Sequence, residues 1–229
     1  MLDYGKKTYI MGILNVTPDS FSDGGDYTNI DIAVNHAKEM IELGADMIDL
    51  GGESTRPGHK FVSAEEEISR IVPVIKRLKE EINVPISIDT YKSEVAEEAL
   101  KLGVDMVNDV WGLTYDGKMA DVVAKYDGEV CIMHNQEGTD YDKDIMEAIK
   151  EFLQNSIDMA LKAGVKKEKI VLDPGIGFGK TYEQNIEVLE RLGELRDLGY
   201  PVLLGTSRKS VLGKILENST PKERVNATV

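Results

Sequence analysis

IVLDPGIGFGK, residues 170–180, is an apolar run of strand length that stops at Asp173 and turns at once into a glycine-rich polar cluster. Six other stretches are built the same way: YIMGILNVTPDSFSDGG at 9–25, MIDLGGESTRPG at 47–58, ISIDTYKS at 86–93, MVNDVWG at 106–112, CIMHNQ at 131–136 and VLLGTSRKS at 202–210. A helical pattern follows nearly every one, which is the signature of repeated β-then-α units. The strands are expected at Thr8–Leu14, Met47–Leu50, Pro85–Asp89, Met106–Asp109, Val130–Met133, Ile170–Asp173 and Val202–Gly205. All are short and mostly apolar, as parallel strands buried on both faces should be. Between them, segments such as DIAVNHAKEMIELG and SAEEEISRIVPVIKRLKEEI repeat apolar residues at three- and four-residue spacing. Gly44, Gly103 and Gly164 follow helical segments and fit left-handed helix stops. Seven such units in one sheet predict an α/β fold, a (β/α)8 TIM barrel, with function at the carboxyl ends of its strands. An open doubly wound sheet is the alternative, but NVTPDSFSDGG is not the GxGxxG turn that would support it.

The 229 residues show no linker or composition break and read as a single domain, 1–229. Net charge is −14, which argues against nucleic acid as a partner, because binding there needs clustered cations. The single cysteine, Cys131, sits in an apolar run and reads as a buried, inert thiol. No apolar run approaches the ~20 residues of a membrane span. The N-terminus carries no signal pattern, so a cytoplasmic location is expected. No zinc-ligand spacing is present, and His36 reads as a helix-surface residue.

The strand ends collect Asn15, Asp49, Arg56, Asp89, Asn108, Met133, His134, Asn135, Asp173, Lys180, Ser207, Arg208 and Lys209. A charged residue ending an apolar strand is costly to bury unless paired or used. One alone could be a helix cap, and Asp89 before TYKSEVAEEAL has that reading open. Asp, Asn and Asp on three strands of a barrel converge on one area. Carboxylates accept paired N–H donors, an amide donates and accepts, and a lysine donates to a carbonyl. That set suits a flat heterocycle with an aminopyrimidinone edge. Arg56, Lys180, Arg208 and Lys209 lie just beyond strands and fit an anionic ligand. GTSRKS before a helix suits an anion, or else a plain Ser/Thr cap. The long polar loops from Asn15 to Asn29 and from Gly51 to Ser63 are expected to act as lids.

MGILNVTPDSFSDGG, IDLGGESTRPG, DPGIGFGK and GTSRKS together resemble the dihydropteroate synthase family of the folate pathway, over nearly the whole chain. The resemblance implies the barrel fold. It also implies condensation of 6-hydroxymethyl-7,8-dihydropterin pyrophosphate with 4-aminobenzoate to 7,8-dihydropteroate and pyrophosphate, assisted by Mg2+. By the same resemblance Asp89, Asn108, Asp173 and Lys209 form the pterin set. Met133, Phe178 and Gly205 are pocket walls, and Asn15 is the metal and pyrophosphate contact. Phe21 and Asp23 lie on the first lid; Thr55, Arg56 and Pro57 lie on the second. Ser210 anchors the aminobenzoate carboxylate. Asp89, Lys209, Arg56 and Asp23 are the residues implied to serve catalysis. A homodimer and sensitivity to sulfonamides follow from the same likeness. The family ends with a further strand and helix carrying an Arg-x-His element, and no such triplet occurs here. The expectation is therefore a barrel lacking its eighth unit, with low synthase activity. Two other functions fit the scaffold: a corrinoid-dependent methyltransferase using methyltetrahydrofolate, and a pterin binder without turnover. STRPG and SRKS favour the synthase, since a methyltransferase has no aminobenzoate to hold.

Overall fold

The computed structural model describes residues 2–17, 26–54, 61–216 and 220. Six strands form one sheet: β1 Met11–Asn15, β2 Met47–Gly51, β3 Ile86–Asp89, β4 Met106–Asp109, β5 Glu129–Met133 and β6 Ile170–Asp173. They pair in sequence order and every pair is parallel. An open doubly wound sheet reverses its strand order at a switch point. This sheet never reverses, which is the order of a barrel. Helices α1 Asp26–Glu42, α2 Ala64–Glu81, α3 Ser93–Lys101, α4 Met119–Lys125, α5 Ile145–Ala163, α6 Tyr182–Glu190 and α7 Ser210–Ile215 follow the strands, α7 coming after Val202–Gly205.

The expected strands match except at the ends of the sheet. Pairing starts at Met11, opposite Met47, and residues 8–10 precede the ladder: the Ile10 N–H donates to the Asp46 side chain at 2.9 Å rather than to a strand carbonyl. Val202–Gly205, expected as a seventh strand, is reduced to one bridge between Leu172 and Val202, with the Leu203 N–H donating to the Leu172 carbonyl at 2.8 Å. Gly44, Gly103 and Gly164 take the left-handed conformations expected of helix stops, with φ of +110°, +83° and +101°. Ser63 caps α2 by accepting the Glu66 N–H at 3.2 Å.

The period of two along each strand divides the molecule into two cores. One alternation, with Ile48, Leu50, Ile86, Ile88, Val107, Val130, Ile132, Ile170 and Leu172, packs against the helices. The other faces the barrel axis. Its lower layer is apolar: Met47, Met106, Cys131 and Val171, with Met11 and Leu203 against them. Leu2 and Tyr4 close the bottom, where the Tyr4 hydroxyl donates to Glu129 Oε2 at 2.7 Å. Cys131 is buried and free, and burial pushes its thiol well up, so it is inert as expected. Further along the same alternation most axis-facing residues become polar: Asn15, Asp49, Asp89, Asn108 and Asp173. His36 is exposed on α1 beside Glu39. Among the described residues no helix is long and apolar enough to cross a membrane.

Candidate functional site

Strand register sets Asn15, Gly51, Asp89 and Asn108 side by side across β1 to β4. Asp173 and Met133 are lateral neighbours across β5 and β6. Because Gly51 has no side chain, two oxygens reach over it. A Cβ there would stand 3.1 Å from Asn15 Oδ1 and 3.7 Å from Asp89 Oδ2. Asn108 Nδ2 donates to Asp49 Oδ2 at 3.1 Å, which fixes the amide beside the carboxylates. Asp49 Oδ1, Asp89 Oδ1 and Ser87 Oγ are buried and have no partner. Burial raises the Asp89 carboxyl well above the usual range, and the charges of Asp49, Glu67 and Asp109 raise it further, while Lys209 opposes them. Burial raises Asp49 and Asp173 as well. Buried acceptors without donors are expensive, so the cluster calls for a ligand that brings N–H groups.

The cations stand around this acidic floor. Lys209 donates to the Ile176 carbonyl and lies 4.2 Å from the centroid of the Phe178 ring. Its ammonium is lowered by burial and supported by Asp173 and Asp89. Lys180 is buried behind the pocket and meets His134 Nδ1 at 2.9 Å, the Gly175 carbonyl at 3.0 Å and the Phe178 carbonyl at 3.0 Å. Burial pushes Lys180 down to about 7, opposed by Asp173. Burial and Lys180 push His134 down to about 3, which leaves the imidazole neutral at pH 7.

The walls are apolar. Met133, Tyr91 and Val110 cluster with Trp111 and Phe178. The loop after β6 holds Phe178 in place: Asp173 Oδ1 accepts the Gly175 N–H at 2.7 Å, and Asn185 Oδ1 accepts the Gly177 N–H at 2.6 Å. Gly175 is required there, since its φ is +70° and a Cβ would fall 1.9 Å from the His134 carbonyl oxygen. Gly205 faces Asp173, where a Cβ would stand 3.5 Å from Oδ2. Asp89 is not a helix cap. The residue before α3 is Lys92, and the Ser93 N–H is taken by Asp116 Oδ2 at 2.9 Å. Ser210 opens α7, but no side chain caps that helix.

Thus Asn15, Asp89, Asn108, Met133, Asp173, Phe178, Gly205 and Lys209 all come to the mouth of the barrel. Phe21, Asp23, Thr55, Arg56 and Pro57 lie outside the described residues. Sequence reading passed over a buried ionic cluster next to the pocket: Glu53, Glu67 and Lys92. Its signal was present in α2, where Glu67 falls in phase with the buried Ile71, Val74, Ile75 and Leu78. Among the described residues no group of three or more His, Cys, Asp or Glu side chains could hold a metal ion.

Residues 11–229 match the family model described as pterin binding enzyme. The chain is 58% identical over 225 residues to the dihydropteroate synthase of Clostridium beijerinckii, covering 98% of this chain and 83% of that protein. It superposes with a TM-score of 0.97 and 71% identity on a Clostridium difficile dihydropteroate synthase crystallised in the presence of pteroic acid, covering 100% of this chain and 86% of that one. A Xanthomonas albilineans dihydropteroate synthase with 4-aminobenzoic acid matches with a TM-score of 0.91 at 42% identity, over 96% of this chain and 81% of that one.

Proposed function

The chain belongs to the dihydropteroate synthase family of pterin-binding enzymes, and from that premise we propose how its own residues carry the synthase reaction. The reaction joins 6-hydroxymethyl-7,8-dihydropterin pyrophosphate to 4-aminobenzoate. The C–O bond to pyrophosphate breaks, and the pterin methylene becomes cationic. The amine nitrogen then forms the new C–N bond and loses a proton. No protein nucleophile is required, so the protein's work is to orient, dehydrate and stabilise charge.

The observation that carries the residue assignments is the group of partnerless buried oxygens at the barrel mouth, Asp49 Oδ1 and Asp89 Oδ1, beside Asn108, Asp173 and Lys209. An aminopyrimidinone edge supplies N–H donors to Asp89 and Asp173, meets the Asn108 amide, and gives Lys209 a carbonyl to bond. Met133 and Phe178 line the flat faces, and Gly205 leaves the approach to Asp173 open. Asp89 then stands where a developing cation gains most from a buried carboxylate. Ser210 is the anchor for the aminobenzoate carboxylate. Phe21, Asp23, Thr55, Arg56 and Pro57 serve the two loops that complete the site.

Mg2+ prefers oxygen ligands and keeps several from water and substrate phosphates. Asn15 Oδ1 fits that demand, and it would hold the ion with the pyrophosphate, where the metal neutralises leaving-group charge. A cytoplasmic location and a homodimer complete the reading. The test is pyrophosphate release with both substrates, with either omitted, and with methyltetrahydrofolate in their place. Release that needs both substrates is expected. Pterin binding with no release, or methyl transfer, would overturn it.

A further inference from the structure

A charged cluster lies beside the pterin pocket without facing it. Lys92 Nζ bonds the Glu53 carboxylate and meets Glu67 Oε2 at 2.6 Å, with side-chain exposures of 6%, 2% and 1% for Lys92, Glu53 and Glu67. Glu53 Oε1 also accepts the Val62 N–H at 3.2 Å. The Tyr91 hydroxyl reaches the same carboxylate at 3.2 Å and 3.3 Å. The Lys92 ammonium lies 4.5 Å from the Tyr91 ring centroid and 5.3 Å from that of Phe61. Glu67 Oε1 is buried with no partner, and burial raises the Glu67 carboxyl against the pull of Lys92.

Two carboxylates and one ammonium, all out of water, are a poor way to gain stability, since apolar side chains of similar volume usually do as well or better. What such a cluster does well is fix geometry. Glu53 precedes segment 54–61 and Val62 follows it, so one carboxylate holds both ends of that segment. Lys92 ties this neck to α2 through Glu67 and to the end of β3, three residues after Asp89. Tyr91, which shares the carboxylate, packs in the same cluster as Met133 and Phe178.

We propose that Glu53, Lys92 and Glu67 are positioning residues for the reaction: they hold Glu53 and Val62, the residues on either side of 54–61, at a fixed place relative to the pterin pocket. None of the three touches substrate. The inference rests on the reading above, which gives Thr55, Arg56 and Pro57 of that segment their part in the site.

The test uses Glu53→Gln and Lys92→Met in the protein, with thermal melts to identify folded variants. Glu53→Gln keeps an acceptor for Val62 but loses the charge that Lys92 binds, and it decides the matter alone if Lys92→Met fails to fold. Two quantities are measured: amide hydrogen exchange at Val62, and the KM for 4-aminobenzoate against the affinity for a pterin lacking pyrophosphate. Misplacement by about 1 Å can cost 10²-fold, so a rise in KM of about tenfold or more is expected, with faster Val62 exchange and unchanged pterin affinity. Folded variants with wild-type KM would overturn the proposal, as would an equal loss of pterin affinity. If the wild type releases no pyrophosphate, the functional reading has failed instead, and Val62 exchange still judges the clamp.

Discussion

Asp173 and His134 show how burial turns single side chains into instruments. Asp173 Oδ1 is committed to the Gly175 N–H, while the carboxyl as a whole is raised by burial and opposed by Lys209. Under the proposed assignment, Asp173→Asn replaces one acceptor with a donor where the pterin edge offers its own N–H. A buried mispaired group forfeits bond and solvation together, so binding should weaken by about 3 kcal/mol, roughly a hundredfold in Kd. Calorimetry with a pterin ligand checks this, and wild-type affinity in a folded variant would remove Asp173 from the pterin set. His134 makes a prediction about pH. Its folded value is about 3, and in the unfolded chain it returns to about 6.5. Between these values the unfolded state holds one more proton, so the contribution is intact above 6.5 and is lost as pH falls toward 3. At pH 5 the loss should be about 2 kcal/mol. His134→Gln keeps an acceptor for Lys180 and removes the titration. Urea unfolding at pH 7 and pH 5 should therefore show a smaller acid loss in the variant by that amount. Equal losses would mean that His134 protonates freely in the folded protein.

At the scale of elements, the junctions between helices and strands were the most readable part of the chain. Each apolar run that ended on Asp or Asn became a strand ending at the barrel mouth, and the glycines after α1, α3 and α5 took positive φ. Two things were not readable. The extent of pairing at the sheet's ends is one: Val202–Gly205, as apolar as the other runs, pairs only through Val202. The Glu53–Lys92–Glu67 cluster joins residues from three segments of the chain, and of the three only Glu67, in phase with the buried face of α2, carries a sign of burial in the sequence. Helix α5 offers a test of an element on its own terms. Its N-cap Asp144 accepts the Met146 and Glu147 N–H groups at 3.0 Å and 3.1 Å, and it also pairs with Arg191 at 2.6 Å. Asp144→Ala should cost about 1–2 kcal/mol, and with it about 3–6 °C in Tm. Because α5 lies on the outside of the barrel, kcat should not change, and a large fall in kcat would show that the α5 end is coupled to the site.

For the whole molecule, the balance is between strong net repulsion and an apolar edge. The sheet runs from β1 to the bridge at Val202, and among the described residues neither end has a further strand beside it. Ile10 is 55% exposed, Ile13 52% and Leu204 42%. In the strand alternation Ile10 and Leu204 share the helix-facing side, while Ile13 faces the barrel axis. Unpaired edges carrying apolar side chains invite edge-to-edge pairing between molecules. Opposing this is the net charge of −14, which keeps copies of the chain apart. Salt weakens that repulsion, the Debye length shrinking from about 10 Å at 0.1 M to about 3 Å at 1 M, while leaving the apolar attraction in place. The 229-residue chain alone should therefore associate more as salt rises, measured as average mass by light scattering at fixed protein concentration. Lysine is the side chain natural edges use to block such pairing, so Ile10→Lys with Leu204→Lys should keep the mass constant across the salt series. The double variant should leave pterin affinity intact, because neither position faces the barrel axis. Association that persists in the double variant would locate the sticky surface elsewhere on the molecule.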